Sequence, residues 1–446
     1  MCAMESRLFI IATSPPHFPS FLLTIWSFVR HSVSLVILAG HKLLLGASSS
    51  YPPSRLVETA YGPVQGRRLV SRGGKCVDAF QGIPYAKPPI GPLRFKKPEP
   101  LDGWNGVLDA TEFDNRSIQL PLDLLEIFTK TTPSEDCLFL NVFTPCWEPP
   151  AGGFPVMLFV HGGGFVMGDT ETYGDLGICD NLCTRDVVVV TIHYRVAYLG
   201  FFSTGDSACP GNLGLWDQTE ALKWIQKNIG AFGGNNGNVT VFGQSAGGAS
   251  VDFLHLSPHS TNLFHKGICM AGTTEAPWAI ASNLVEQCRK KARLLGVEEA
   301  DSHKLIERLR DVPADDFGVH LFKQTDKEDC ADLETTPCID GDFLPESLDE
   351  LRKKATPKPM MTGLTKEEGV FFMLGKNNDV DDFRRLGRHV LRNADSRERL
   401  EYKLLNKYAN YRNLKEKKNL LRVQAEMLSD YFMNVPTLKW CKKNAE

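Results

Sequence analysis

The residues best suited to chemistry are 243–247, which read GQSAG and form a GxSxG motif. The motif directly follows an apolar run at 239–242 and precedes small residues that can open a helix. A nucleophile between a strand and a helix needs a tight, strained turn, and small residues two positions to either side leave room for it. The positive end and free N–H groups of the following helix favour an oxyanion there. The motif therefore predicts Ser245 as the nucleophile of an acyl-transfer reaction.

A second constellation is the sequence HGGGF at 161–165, which also follows an apolar run, 156–160. A tetrahedral intermediate needs several N–H groups converging on one oxygen, and glycine lets the backbone approach closely. We expect Gly163 and Gly164 to donate from this loop and Ala246 to donate from the residue after the nucleophile. A phosphate-binding loop is the alternative use of a glycine run, but no Lys-Ser/Thr follows it. The two motifs together predict an oxyanion hole.

The segments that position these motifs alternate between strand-like and helix-like patterns. Between 212 and 229, leucine and isoleucine recur at helical spacing beside charged residues. Strands alternating with helices predict βαβ units, a mostly parallel sheet and helices on both faces, an α/β fold. After Ser282 the chain reads chiefly as amphipathic helices, and the basic run at 412–418 is predicted to be a solvated helix face. The strand-like runs lie at 156–160, 187–192 and 239–242.

Composition narrows the function classes. The chain has 446 residues, 50 Lys and Arg against 53 Asp and Glu, and 42% apolar residues, which is typical of a soluble globular protein. A nucleic-acid partner is not expected, because no strong positive charge is present. Twelve cysteines without CxxC spacing predict free thiols rather than a zinc site.

The first 54 residues differ from the rest in pattern: they hold apolar runs that are interrupted by prolines and charged residues. The run after Arg30 is shorter than the roughly 20 apolar residues that a transmembrane helix needs. Its charged start and small-residue end are typical of a signal peptide, but it begins far from Met1. We therefore predict an N-terminal extension at 1–54, either disordered or a signal or anchor, followed by one globular domain at 55–446.

Several longer motifs carry a resemblance. Together with the HGGGF loop and the GQSAGG elbow, the chain resembles the type-B carboxylesterase and cholinesterase family of α/β-hydrolases, in order from about Arg55 onward. This resemblance implies a serine esterase with a Ser nucleophile, a Glu and a His base, acting on a small-molecule ester without metal or cofactor. The other matching segments are FQGIPYA at 80–86, GPLRF at 91–95 and SEDCLFLNV at 134–142.

Carried over residue by residue, the resemblance makes Ser245 the nucleophile and assigns the acid to Glu368. Its neighbour Glu367 is the alternative and is expected to be solvated. Trp278 matches an acyl-pocket position, with a core tryptophan as the equal alternative. The position implied for a choline-binding tryptophan holds Leu108, so an uncharged carboxylic ester is expected as the substrate.

The general base is left unassigned. The triad order in this fold is Ser, acid, His, and His389 is the single histidine among the 78 residues after Glu368. It lies only 21 residues beyond that glutamate, nearer than the family pattern implies, so we discount it. The resemblance implies that the chain stops before the histidine segment and the last strands, with activity impaired. The alternative function is a non-catalytic, cholinesterase-like binding or adhesion protein.

The compartment is argued from cysteines. The resemblance implies a first disulfide between Cys137 and a position that here holds Ser117, and the missing bridge favours the cytoplasm. The sequons at Asn115 and Asn238 argue weakly for the endoplasmic reticulum or secretion. Membrane association through residues 1–54 is left open, as is the oligomeric state.

Overall fold

A computed structural model describes the chain from Tyr51 to residue 445, except for 121–128, 320–332, 374–377, 392–394, 396 and 410–411. The predicted N-terminal extension therefore lies outside the described residues up to Ser50. Its last residues belong to the globular unit, since the first strand begins at Pro53. From Tyr51 onward the chain forms one compact unit.

The strands lie chiefly in the first two thirds of the described chain. The three runs predicted as strands are confirmed, each with bounds shifted by a few residues. The described strands are β1 Pro53–Thr59, β2 Gly62–Val70, β3 Cys76–Pro84, β4 Leu108–Asp109, β5 Arg116–Ser117, β6 Pro133–Ser134, β7 Phe139–Pro145, β8 Phe154–Val160, β9 Val188–Ile192, β10 Gly234–Gln244, β11 Lys266–Met270 and β12 Met360–Gly363.

Helices connect the later strands and fill the C-terminal third. The helical pattern between 212 and 229 is confirmed as α3. The described helices are α1 Leu176–Asn181, α2 Ala197–Phe201, α3 Leu213–Asn228, α4 Ala246–Leu256, α5 Leu284–Leu294, α6 Ser302–Leu309, α7 Leu348–Lys354, α8 Val380–Val390, α9 Arg397–Ala409, α10 Lys417–Ser429 and α11 Val435–Ala445.

The main sheet has the strand order β1-β2-β3-β7-β9-β8-β10-β11-β12, with β4 paired to β2. From β9 to β12 every neighbouring pair is parallel, whereas β1, β2, β3, β7 and β9 pair antiparallel. The parallel strands β8 and β9 are rich in β-branched and aromatic residues because both of their faces are covered. The predicted α/β architecture is confirmed.

Alternate residues of β9 show that helices cover both faces. Val188 and Val190 are buried in one cluster with α3 and α4, while Val189 is buried on the other face with Cys179 of α1. Helix α4 is buried along its whole length. The core therefore holds the nucleophile motif between a central strand and a central helix.

The basic run at 412–418 departs from its prediction. Helix α10 begins only at Lys417, because Asn413 accepts the Lys415 N–H at 3.2 Å and forms a turn before it. Arg412 is not on a solvated helix face but pairs with Glu426 at 2.7 Å.

Candidate active site

Ser245 lies on a strained turn between β10 and α4, with φ 57° and ψ −124°. The turn fits because the residues two positions to either side, Gly243 and Gly247, lack side chains. A Cβ on Gly247 would lie 2.1 Å from the Val160 carbonyl oxygen, and one on Gly243 would lie 2.4 Å from the Gly247 backbone. Both glycines of the GxSxG motif are thus required by close backbone packing, as its spacing predicts.

A further glycine that the sequence did not point to, Gly272, supports the turn. Gly272 follows β11, and a Cβ there would lie 2.0 Å from the Ser245 carbonyl oxygen. The Ser245 N–H donates to the Met270 carbonyl at 2.8 Å, so the end of β11 holds the nucleophile's backbone in place. Gly272 lies outside any recognisable motif, so only the pairing of β10 with β11 brings it there.

The glycine loop after β8 packs directly against the nucleophile. A Cβ on Gly162 would lie 3.1 Å from the Ser245 Cβ. Gly163 has φ 112° and Gly164 has φ 63°, and a Cβ on Gly163 would lie 2.2 Å from the Met167 carbonyl oxygen. The N–H groups of Val166 and Met167 both donate to the Gly163 carbonyl at 3.1 Å, which closes the loop.

The three predicted oxyanion donors lie around this turn. Ala246 is the first residue of α4, beside Ser245, and Gly163 and Gly164 lie in the loop that packs on it. Among the residues that the structure describes, no protein acceptor is found for the N–H groups of these three residues. They are therefore available to an incoming oxygen.

Two buried histidines, His161 and His193, lie at the glycine loop. The His161 ring stacks on Tyr194 at 4.3 Å, and the Tyr194 hydroxyl donates to the His161 carbonyl at 2.8 Å. The Thr170 N–H donates to His193 Nε2 at 2.9 Å. Burial, with the neighbouring His161 second, lowers the pKa of His193 to about 3, and burial lowers the pKa of His161 as well. Both rings are neutral near pH 7 and serve as supports.

Glu368 opens a short helical turn, Glu368–Met373, just after β12. Gly363 pairs with Met270, which pairs with Gln244, so the carboxyl ends of β10, β11 and β12 share one edge of the sheet. Glu368 thus starts from the same edge of the sheet as Ser245. The two strands that lead to them, β12 and β10, are two positions apart, which corresponds to about 10 Å at the usual strand spacing. Its carboxylate accepts the Thr365 N–H at 2.7 Å. Glu367 is exposed, as expected.

His389 is buried in α8 and faces the Tyr431 ring edge-on, with ring centroids 5.7 Å apart. Within the described part of the chain, the Ser245 hydroxyl has no hydrogen-bond partner. The other described histidines, apart from exposed His303, have polar partners elsewhere. These contacts are His161 with the Gly162 carbonyl, His193 with Thr170, His255 with the Thr356 carbonyl, His259 with the Asp342 carbonyl and His265 with the Val239 N–H.

Trp278 is buried and lies beside the oxyanion loop. Its ring centroid is 6.4 Å from that of Phe165, and its indole N–H donates to the Phe432 carbonyl at 3.2 Å. A satisfied, buried indole fits the core role, and its contact with the HGGGF phenylalanine also puts it next to the glycine loop. The role of Trp278 in an acyl pocket stays a prediction.

Leu108 does not lie where the choline-binding position would have to be. It pairs with Val64 as part of β4, next to β2. Four strands separate β2 from β10, which corresponds to about 24 Å at roughly 4.8 Å per strand. Leu108 therefore has no bearing on the charge of a substrate bound at Ser245, and that step of the sequence reasoning was wrong.

A buried ion pair under the nucleophile helix was missed by the sequence reasoning. Asp252, on α4, accepts from both guanidinium nitrogens of Arg352 at 3.0 and 3.2 Å and from the Thr274 N–H at 3.1 Å. Burial raises the pKa of Asp252, but the charge and hydrogen bonds of Arg352 outweigh it, so the net pKa lies below 3.8. Lys443 of α11 joins the cluster through Glu275 and Asp349.

The mixed sheet, with a strained serine between its central strand and a buried helix, is the α/β-hydrolase fold. A profile described as "Carboxylesterase family" matches residues 53–446. The chain belongs to the carboxylesterase family, as the resemblance implied.

Three relatives illustrate the similarity. Esterase cest-33 of Caenorhabditis elegans is 38% identical over 421 residues, which cover 90% of this chain and 74% of that protein. Gut esterase 1 of Caenorhabditis briggsae is 32% identical over 431 residues, covering 90% and 73%. Liver carboxylesterase 1 of Oryctolagus cuniculus is 37% identical over 340 residues, covering 72% of this chain and 59% of the rabbit protein. The chain thus spans less than two thirds of that last relative.

Within the described ranges, no helix is both long and apolar enough to cross a membrane. Cys137 is free and buried, and Ser117 stands where the resemblance implies its bridge partner. The cytoplasmic location stays a prediction.

Proposed function

We propose that this protein is a serine carboxylic ester hydrolase, in which Ser245 attacks the ester carbonyl and forms an acyl-enzyme that water cleaves. The observation that carries the proposal is the turn at Ser245, with φ 57° and the hydroxyl beside a glycine loop. Such strain costs about 1–3 kcal/mol and persists chiefly at functional sites. The relatives named as esterases and carboxylesterases support the same reaction.

In this reaction the carbonyl oxygen gains negative charge in front of the N–H groups of Gly163, Gly164 and Ala246. The support is that these donors have no described protein acceptor, that Ala246 directly follows Ser245, and that the glycine loop packs against Ser245 through Gly162. The positive end of α4 adds to the same field because Ala246 is its first residue. One such donor is worth about 2.7–4 kcal/mol to a transition state.

The substrate is proposed to carry an uncharged acyl group. The support comes from Phe165 and Trp278, whose buried rings lie beside the oxyanion loop. A charged acyl group would lose its hydration against such a wall without a compensating partner. Trp278 would thereby limit the length or width of the acyl chain.

The acid and base are the weak part of the proposed machinery. Glu368 starts from the same sheet edge as Ser245, but its carboxylate accepts the Thr365 N–H. None of the hydrogen bonds given above for the described histidines involves Ser245. Losing a triad member typically lowers kcat by roughly 10⁴- to 10⁶-fold, while an oxyanion hole alone retains some 10³- to 10⁴-fold over water. We therefore propose slow acylation and slower turnover for the residues described.

The test combines a fluorophosphonate probe with hydrolysis of p-nitrophenyl acetate. We expect slow, stoichiometric labelling that peptide mapping assigns to Ser245, and loss of both labelling and turnover in Ser245→Ala. The matched control is Ser250→Ala, because Ser250 lies buried on the same helix, where its hydroxyl accepts from Gln218 at 3.2 Å. Labelling that survives in folded Ser245→Ala would refute the assignment of the nucleophile.

The base is tested separately with His389→Ala. If that variant folds, labels at Ser245 at the wild-type rate and keeps the wild-type turnover, His389 is not the general base. A large fall in turnover with unchanged thermal stability would make His389 the base.

A second candidate, a non-catalytic binding protein, is favoured by one observation. The Ser245 hydroxyl has no hydrogen-bond partner among the described residues, so no described group would take its proton. Complete absence of labelling in folded wild-type protein, even after prolonged exposure, would favour this candidate over the hydrolase.

A further inference from the structure

Two cysteines outside the proposed site face each other across neighbouring strands. Cys76 opens β3, and Cys146 directly follows β7. These strands are antiparallel, with Val77 opposite Pro145, so the next pair outward is Cys76 opposite Cys146. The Cys146 N–H donates to the Cys76 carbonyl at 3.2 Å, which shows that the ladder continues through both cysteines.

Directly opposite residues of an antiparallel pair project to the same face of the sheet. In a hydrogen-bonded pair the Cα atoms lie about 5.5 Å apart, inside the range of roughly 4.4–6.8 Å that disulfides occupy. The Cβ atoms start about 4.5–5.5 Å apart and need to close to about 3.5–4.5 Å. This small shift falls at the end of the strand pairing, because β7 ends at Pro145.

The surroundings of the two thiols bear on which of them reacts first. Each cysteine is free and half-buried. The Arg68 guanidinium pairs with Asp78 at 2.9 Å. It also interacts electrostatically with both cysteines. Burial, with Asp78 second, raises the pKa of Cys146 to about 12. Cys146 is therefore held as a thiol, and Cys76 is the better placed of the two to react first.

We propose that Cys76 and Cys146 form a disulfide site, closed by a small-molecule disulfide such as oxidised glutathione. The Cys76 thiolate attacks one sulfur of oxidised glutathione, forms a mixed disulfide and releases one glutathione thiolate. Cys146 then gives its proton to water and attacks the Cys76 sulfur, which releases the second glutathione. Two protein thiols are oxidised, and one glutathione disulfide is reduced to two thiols.

The chain offers internal controls for this chemistry. Cys179 and Cys183 also lie together, in one buried cluster, but they are only 1% and 0% exposed, so an oxidant cannot reach them in the folded protein. Cys441 is exposed on α11 and reports reaction at an isolated thiol. The proposed bridge would close about 70 residues, including the Cys137 and Ser117 pair that holds no bridge.

The test uses the purified full chain, first reduced and then incubated under native conditions with oxidised glutathione. Free thiols are blocked with N-ethylmaleimide, and the peptides are mapped without reduction. We expect a cross-linked peptide pair that joins Cys76 to Cys146 and lacks two hydrogens, together with a rise in Tm of about 5 °C over the reduced protein. Cys76→Ser and Cys146→Ser should each abolish both changes, whereas Cys179→Ser should keep both.

Two outcomes would overturn the proposal. One is N-ethylmaleimide on both cysteines, or glutathione that stays on Cys76, in wild-type protein whose circular dichroism is native. The other is a cross-link that forms only when urea is added, because the folded strands would then not bring the thiols together. The peptide map of the wild-type protein decides the matter even if a serine variant fails to fold.

Discussion

The buried pair of Asp252 and Arg352 yields the sharpest prediction about the support of the nucleophile helix. The Asp252 side chain is fully buried and that of Arg352 is 8% exposed. Replacing Arg352 by methionine would leave a buried carboxylate with Thr274 as its remaining named partner. Breaking a buried pair in this way costs about 3–5 kcal/mol, so Arg352→Met should lower the free energy of unfolding by that amount.

The penalty should depend on pH with a definite sign. In the wild type the pKa of Asp252 lies below its ordinary 3.8, so the carboxylate stabilises the fold above that value and less in strong acid. Without Arg352, burial dominates and the folded-state pKa rises above 3.8. The variant's deficit should therefore be largest near neutral pH and shrink on acidification, as the folded state takes up the proton.

The assay is urea unfolding at pH 7 and pH 5 of the wild type, Arg352→Met, Asp252→Asn and the double variant. We expect a coupling energy of about 2 kcal/mol, because Asp252→Asn removes the charge that Arg352 balances. The control is Arg384→Met, since Arg384 and its partner Asp381 are mostly exposed and their pair should contribute nothing measurable. A deficit below about 1 kcal/mol, or one that is equal at both pH values, would refute the reasoning.

The remaining predictions concern the oxyanion loop and its supports. Gly163→Ala should abolish labelling of Ser245, because its Cβ would lie 2.2 Å from a carbonyl oxygen. Gly174→Ala, with φ 69°, ψ −169° and nothing within 4 Å of the added Cβ, should cost only the backbone strain, about 1–3 kcal/mol of stability, and keep the labelling. As the pH falls below 6.5, His193 alone should lower the free energy of unfolding by up to about 1.4 kcal/mol per pH unit, because its pKa is about 3 in the folded protein. His193→Gln should reduce that slope. Trp278→Phe should cost about 1 kcal/mol for its lost hydrogen bond and should shift the preferred acyl length of p-nitrophenyl esters, and unchanged preference would remove Trp278 from the pocket.

Local patterns were sufficient for the central elements. The runs that became β8, β9 and β10 are apolar and β-branched because both faces of those strands are covered, and the pattern that became α3 has helical spacing. The basic run at 412–418 was harder, because Asn413 starts a turn that competes with the helix. Leu108 misled for another reason: its distance from Ser245 depends on strand order.

By itself the sequence determined the α/β class, the family and the identity of the predicted nucleophile and oxyanion donors. These rest on residues close along the chain, where strand, glycine turn and helix follow one another and local sterics decide the backbone. The tertiary structure alone decided which distant groups meet. Gly272 behind Ser245, Arg352 on Asp252 and Cys76 opposite Cys146 come from separate segments, and only strand pairing and helix packing bring them into contact. For the same reason, only the structure showed that His389 packs against Tyr431.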